Sequence, residues 1–113
     1  MAIKPKLEQI DQMFCAFSEP TRLRILHLIR DHETCVNDLV TVLNATQSLV
    51  SRHLLALKNV GLVTCRKNGR WCYYSLAKPT YDFHAKLLEC LESSFSQVPE
   101  IAADAKQAEK LRR

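Results

Sequence analysis

Leu7, Ile10, Phe14 and Phe17 recur at helical spacing, so the chain is expected to open with an amphipathic helix that ends near Ser18. Pro20 suits the first turn of a second helix, capped by Glu19 or Ser18 and carrying Leu23, Leu26 and Ile29 to about Asp31. After the polar break Asp31-His32-Glu33-Thr34, the positions Val36, Leu39, Val40 and Leu43 predict a short third helix that stops at Asn44 and Ala45. Thr46 then serves as N-cap of a fourth, whose Val50, Leu54 and Leu57 face inward while Gln47, Ser48, Ser51 and Arg52 face elsewhere. Gly61 ends that helix. The β-branched and aromatic runs Leu62–Arg66 and Trp71–Ser75, separated by Lys67-Asn68-Gly69-Arg70, predict a β-hairpin. From about Thr80 to Gln97, Phe83, Leu87, Leu91 and Phe95 form the stripe of a last helix, and Pro99 interrupts it before an Ala-rich, charged segment.

At 113 residues, 47% of them apolar, the chain has room for one ordinary domain. Residues 1–98 are expected to form it, with 99–113 as a tail, helical or frayed. An odd cysteine count of five, together with charges that interrupt the opening residues, leads us to expect a cytoplasmic chain with reduced thiols and no membrane association.

The net charge of +4 is modest, but its distribution is uneven. From Asn44 to Arg70 there are five basic residues (Arg52, Lys58, Arg66, Lys67 and Arg70) and no acidic one, as a surface facing phosphates requires. Two short helices joined by a tight turn, followed by a hairpin, describe a winged helix-turn-helix in which the second helix of the turn motif enters the major groove. Gln47, Ser48, Ser51 and Arg52 supply the amide, hydroxyls and guanidinium that bond base edges and phosphates. Arg66, Lys67 and Arg70 place charge on the hairpin, within reach of backbone phosphates. Double-stranded operator DNA is therefore the expected partner. No Gly-rich phosphate loop, zinc-hydrolase histidine pair or nucleophile with an identifiable base occurs, so neither catalysis nor an organic cofactor is expected.

Four segments carry a family resemblance: SEPTRLRIL (18–26), ETCVNDL (33–39), TQSLVSRHLLALKNVGLV (46–63) and NGRWCYYSL (68–76). In this order they resemble the ArsR/SmtB family of metal-responsive repressors, and its arsenic-sensing branch in particular, over about residues 7–95. The resemblance implies a mainly α winged helix-turn-helix of order α-α-α-α-β-β-α, a homodimer formed through the first and last helices, and a pseudo-palindromic operator. The apolar stripes of those two helices agree with this, because so short a chain lacks the core to cover both.

The resemblance also implies an inducer, trivalent arsenic or another soft metal ion. Arsenic-sensing members carry a cysteine pair in the segment that ETCVNDL resembles. Here Cys35 is kept, Asn37 replaces the second cysteine, and Val40 stands at a further thiol position. Trivalent arsenic prefers three thiolates, so Cys15 and Cys90, on the two expected interface helices, are the candidates to join Cys35 within or across subunits. A second family site, Asp-x-His with a later histidine, is matched only by Asp82 and His84, because Phe95 and Val98 stand where further ligands are needed. Two other readings stay open: a repressor answering to thiol oxidation rather than metal, and a winged-helix protein-interaction module. For the former, a two-residue turn at Asn68-Gly69 sets Cys65 directly opposite Cys72 on one face of the hairpin.

Overall fold

The computed structural model describes residues 4–93 and 95–112. Helix α1 (Leu7–Phe17) starts where the Lys6 backbone N–H donates to Gln9 Oε1 at 2.7 Å, half of a capping box. Only Met13 and Ala16 of α1 are buried; Leu7 and Phe14 of the predicted stripe are 82% and 54% exposed. Helix α2 (Pro20–Ile29) has proline in its first turn and Glu19 as N-cap, accepting from the Arg22 N–H at 2.9 Å, and buries Ile25, Leu26, Leu28 and Ile29.

The polar break ends in a two-residue strand, β1 (Thr34–Cys35), which the apolar pattern did not predict. Helix α3 (Val36–Leu43) stops at Asn44, whose left-handed φ of 51° suits asparagine. Helix α4 (Gln47–Asn59) buries Val50, Leu54 and Leu57 completely, as their spacing predicts. Strands β2 (Val63–Asn68) and β3 (Trp71–Leu76) form the hairpin, and β1 joins it in an antiparallel sheet of order β1-β3-β2.

Helix α5 (Asp82–Ser93) and a 3-10 turn (Phe95–Gln97) lead into α6 (Pro99–Leu111). Pro99 occupies the first turn of α6, which packs on α2 and α3 and buries Ile101, Asp104 and Ala108. Asp104 is held by Arg24 of α2, whose Nε and Nη2 donate to its two carboxylate oxygens at 2.8 and 2.9 Å. The result is a mainly α winged helix-turn-helix, with β1 and α6 added to the expected order. Among the described residues, no helix is long and apolar enough to cross a membrane.

Two buried histidines make this fold sensitive to mild acid. His84 is fully buried, takes the Thr80 N–H on Nδ1 at 3.2 Å, and has no partner for Nε2 among the described residues. Burial pushes its pKa below the ordinary 6.5; His27 is lowered too, by burial and then by Arg30. Above about pH 7.5 folded and unfolded chains both hold these rings neutral, and the effect on stability vanishes. As pH falls through 6.5 the unfolded chain binds protons that the fold refuses, so stability must decline. The carboxyls of Glu19, Asp31 and Glu33, all held below their ordinary values, stay ionised at these pH values. We expect urea midpoints to fall between about pH 7.5 and 5.5 and His84→Asn, which keeps an acceptor for Thr80, to flatten the decline. An equally steep decline in that variant would remove His84 as a cause.

Candidate nucleic-acid interface

Thr46 Oγ1 accepts the Leu49 N–H at 3.2 Å and so fixes where α4 begins. With Val50, Leu54 and Leu57 anchored in the core, the opposite face must point outward, and Gln47, Ser48, Ser51 and Arg52 are all exposed on its first two turns. A second brace sets the angle of α4. Arg22 Nε donates to His53 Nδ1 at 3.1 Å, while His53 Nε2 lies 3.7 Å from Glu19 Oε2. Burial alone would raise the Glu19 carboxyl, but the backbone N–H groups of Arg22 and Thr21, aided by His53, hold it below its usual range. His53 thus ties α4 to the start of α2.

The hairpin turns at Gly69-Arg70, not at Asn68-Gly69. Asn68 pairs with Trp71, Lys67 with Cys72, and Cys65 with Tyr74. Within the hairpin Gly69 alone has a positive φ, 64°, as a II′ turn needs at its first central position; centring on Asn68-Gly69 as a type I′ turn would demand a second at Asn68. Cys65 and Cys72 therefore share a face but stand diagonally, two residues out of direct register.

Of the three hairpin cations, Lys67 and Arg70 are exposed near the tip. Arg66 is committed elsewhere: its Nε and Nη2 donate to Glu33 at 2.9 and 2.7 Å, and its guanidinium lies 4.9 Å from the centre of the Tyr73 ring. That fork holds the Glu33 carboxyl below its ordinary range and fastens the wing to the loop before β1.

Between α4, the start of α3 and the wing lies an open cleft of about 370 Å³. It brings together Gln47, Ser51 and Arg70 from the expected set and adds Asn37, Trp71 and Cys72, which sequence reasoning did not assign to this surface. In the sequence Asn37 reads only as the replacement of a thiol and Trp71 only as a strand residue, yet Trp71 is 45% exposed. An exposed tryptophan beside a basic turn was the available signal. Among the described residues no acidic side chain lines the cleft, so its amide, hydroxyl and guanidinium stand without a carboxylate that would repel a phosphate.

The expected sensor cysteines are dispersed. Cys15 is exposed on α1, Cys90 is exposed on α5, and Cys35 is half-buried as N-cap of α3. Among the described residues no group of three His, Cys, Asp or Glu side chains is placed to hold a metal ion. Asp82 is exposed while His84 turns inward to Thr80, so the partial Asp-x-His match forms no site within the chain.

The model of the bacterial regulatory protein arsR family matches residues 19–64, from the cap of α2 through α4 into β2. The chain is 38% identical over 79 residues to the arsenical resistance operon repressor of Escherichia coli K12, covering 69% of this chain and 68% of that one. Among solved structures, HlyU from Vibrio cholerae N16961 superposes with a TM-score of 0.71 at 27% identity, over 84% of this chain and all of its own. The homodimeric winged helix-turn-helix DNA-binding domain of Mb0332 from Mycobacterium bovis does so with a TM-score of 0.68 at 27% identity, over 86% and 92%. With the capped helix-turn-helix, the basic wing and the acid-free cleft between them, these likenesses establish that the chain belongs to the arsR family and is a DNA-binding transcriptional regulator.

Proposed function

We propose that the protein is a homodimeric repressor that reads a pseudo-palindromic operator through α4 and the wing, and leaves it when a thiophilic metalloid, trivalent arsenic, is bound by cysteine thiolates. The cleft carries the DNA part of this reading: Gln47 and Ser51 of α4 stand opposite Arg70 of the wing across a groove-facing surface. Gln47, Ser48, Ser51 and Arg52 make the major-groove contacts, and Lys67 and Arg70 reach phosphates. Arg66 contributes by positioning the wing.

Dimerisation is supported by the apolar surface that α1 and α5 leave open. Leu7 and Phe14 are exposed, and Phe14 packs against Phe83 of α5 with ring centres 5.2 Å apart and planes tilted by 60°, which joins the two helices into one face. Likeness to the homodimeric Mb0332 domain supports a dimer.

For the inducer, Cys35 with Cys15 and Cys90 remains the proposed ligand set, and likeness to an arsenical resistance repressor supports it. Within one chain these three do not form a site, so a shared site requires thiols from both subunits.

The test is a titration of the duplex upstream of the protein's own gene, with and without arsenite, under reducing conditions. Tight, salt-sensitive binding that arsenite abolishes at stoichiometric concentration is the expected result. Binding indifferent to arsenite would overturn the inducer, and no preference for that duplex over random DNA would overturn autoregulation.

A further inference from the structure

Cys65 and Cys72 belong neither to the proposed DNA contacts nor to the proposed Cys15, Cys35 and Cys90 set. Alternation along the hairpin puts Cys65, Lys67, Cys72 and Tyr74 on one face, and the pairings Cys65–Tyr74 and Lys67–Cys72 make the two cysteines diagonal neighbours. Both are free and half-buried. Tyr74 stands directly across from Cys65, one step along the same face from Cys72. Cys72 also lines the cleft, alongside Val36, Trp71 and Tyr74.

Three features define what this site accepts. It offers two sulfurs and no third, so it suits an electrophile with two exchangeable bonds rather than one requiring three. Diagonal α-carbons in antiparallel strands stand about 7–8 Å apart, beyond the span of an unstrained disulfide, whereas an inserted atom lengthens the bridge. An aromatic-walled cleft beside Cys72 has room for an organic substituent.

We propose that Cys65 and Cys72 form a two-thiol site for monosubstituted trivalent arsenicals, with the arsenic bridging the sulfurs and its organic group lying in the cleft between wing and α4. The chemistry is substitution without redox change: R–As(OH)2 and two thiols give R–As(S-Cys)2 and two waters, each As–O bond being replaced by As–S as the thiol proton leaves with the hydroxyl. Cys72 is suited to wait in reduced form. Its thiol is pushed up by Cys65 beside it and then by burial, which lowers the thiolate fraction open to oxidation. Tyr74, pushed up to about 12 by burial and the neighbouring Cys65, stays protonated and able to donate to sulfur.

Capture stands apart from DNA binding and is measured without DNA. The reduced full-length chain is treated with phenylarsine oxide, which loses one water on bridging two thiols, in excess β-mercaptoethanol to suppress attachment at single cysteines. Intact mass should show one phenylarsine per chain. Alkylation with iodoacetamide followed by peptide mapping should find Cys65 and Cys72 protected together while exposed Cys15 and Cys90 react. Cys65→Ser and Cys72→Ser should each abolish capture, with circular dichroism verifying their fold. Capture surviving either substitution, protection of other cysteines instead, or no capture by the wild type would overturn the site; the mapping decides this even if a variant misfolds. In a separate arm, loaded wild type should bind its upstream duplex at least tenfold more weakly, an expectation that rests on the cleft facing DNA. Capture at the pair with unchanged DNA affinity would uphold the thiol site and overturn that reading of the cleft.

Discussion

Arg24→Met is expected to destabilise the protein by about 3 kcal/mol, a large share of the roughly 5–15 kcal/mol that holds a domain folded. Asp104 is buried on α6 with its side chain 7% exposed, and both oxygens rely on one guanidinium at 2.8 and 2.9 Å. Methionine preserves the packing of the arginine stem but leaves a buried carboxylate without its partner. The reciprocal change should be gentler. The Arg24 side chain is 30% exposed, so in Asp104→Ala its guanidinium can turn to water, at a cost of about 1–2 kcal/mol. Urea unfolding of both variants tests this order, with slopes close to wild type. Equal losses would overturn the asymmetry argued from the buried carboxylate, and no loss in either variant would mean that Ile101 and Ala108 hold α6 without the ion pair.

Arg52→Ala should produce the largest change in DNA binding. A specific contact to a base pair contributes about 1–3 kcal/mol, and a two-fold symmetric dimer makes it twice, so operator affinity should drop by roughly 100-fold. Arg52 is exposed on the side of α4 opposite Leu54, and alanine is the better helix former, so thermal stability should hold or rise. Arg66→Ala provides the contrast. Its guanidinium is occupied by Glu33 and Tyr73, so its loss should loosen the wing and weaken binding less than Arg52→Ala does. Fluorescence anisotropy with operator and random duplexes at two salt concentrations separates these effects. Wild-type affinity in Arg52→Ala would remove α4 from the groove.

The parts of this architecture that were legible in the residues are those where one local rule acts alone. Thr46 as cap and Val50, Leu54 and Leu57 as anchors define α4 from both ends, and the structure has them in those places. The wing's existence was equally plain, but its register was not. Asn-Gly marks a turn without stating whether asparagine sits inside it, and Asn68 is instead the last paired residue of β2. Strand β1 is too short to show alternation, so Thr34 and Cys35 read as a polar break. In α6, Asp104 and its charged neighbours masked a buried face, because an aspartate with a partner 80 positions away cannot be told from a solvated one by local pattern. The candidate DNA-contacting side chains are proposed from their chemistry, whereas the meeting of Asn37, Trp71 and Cys72 with them depends on how the wing folds over α3 and α4.

Strand β1 has a mechanical consequence. It pairs with β3 only at Tyr73 and Tyr74, so the remainder of the hairpin overhangs as a lever hinged at its root. From Tyr73 to the turn is about three or four residues, roughly 12 Å of strand, and a tilt of about 10° at the hinge swings the tip by about 2 Å. A hydrogen bond from Arg70 to a phosphate tolerates only a fraction of that displacement. Cys35, within β1 and opposite Tyr73, sits at the fulcrum, so small changes there are expected to displace the tip.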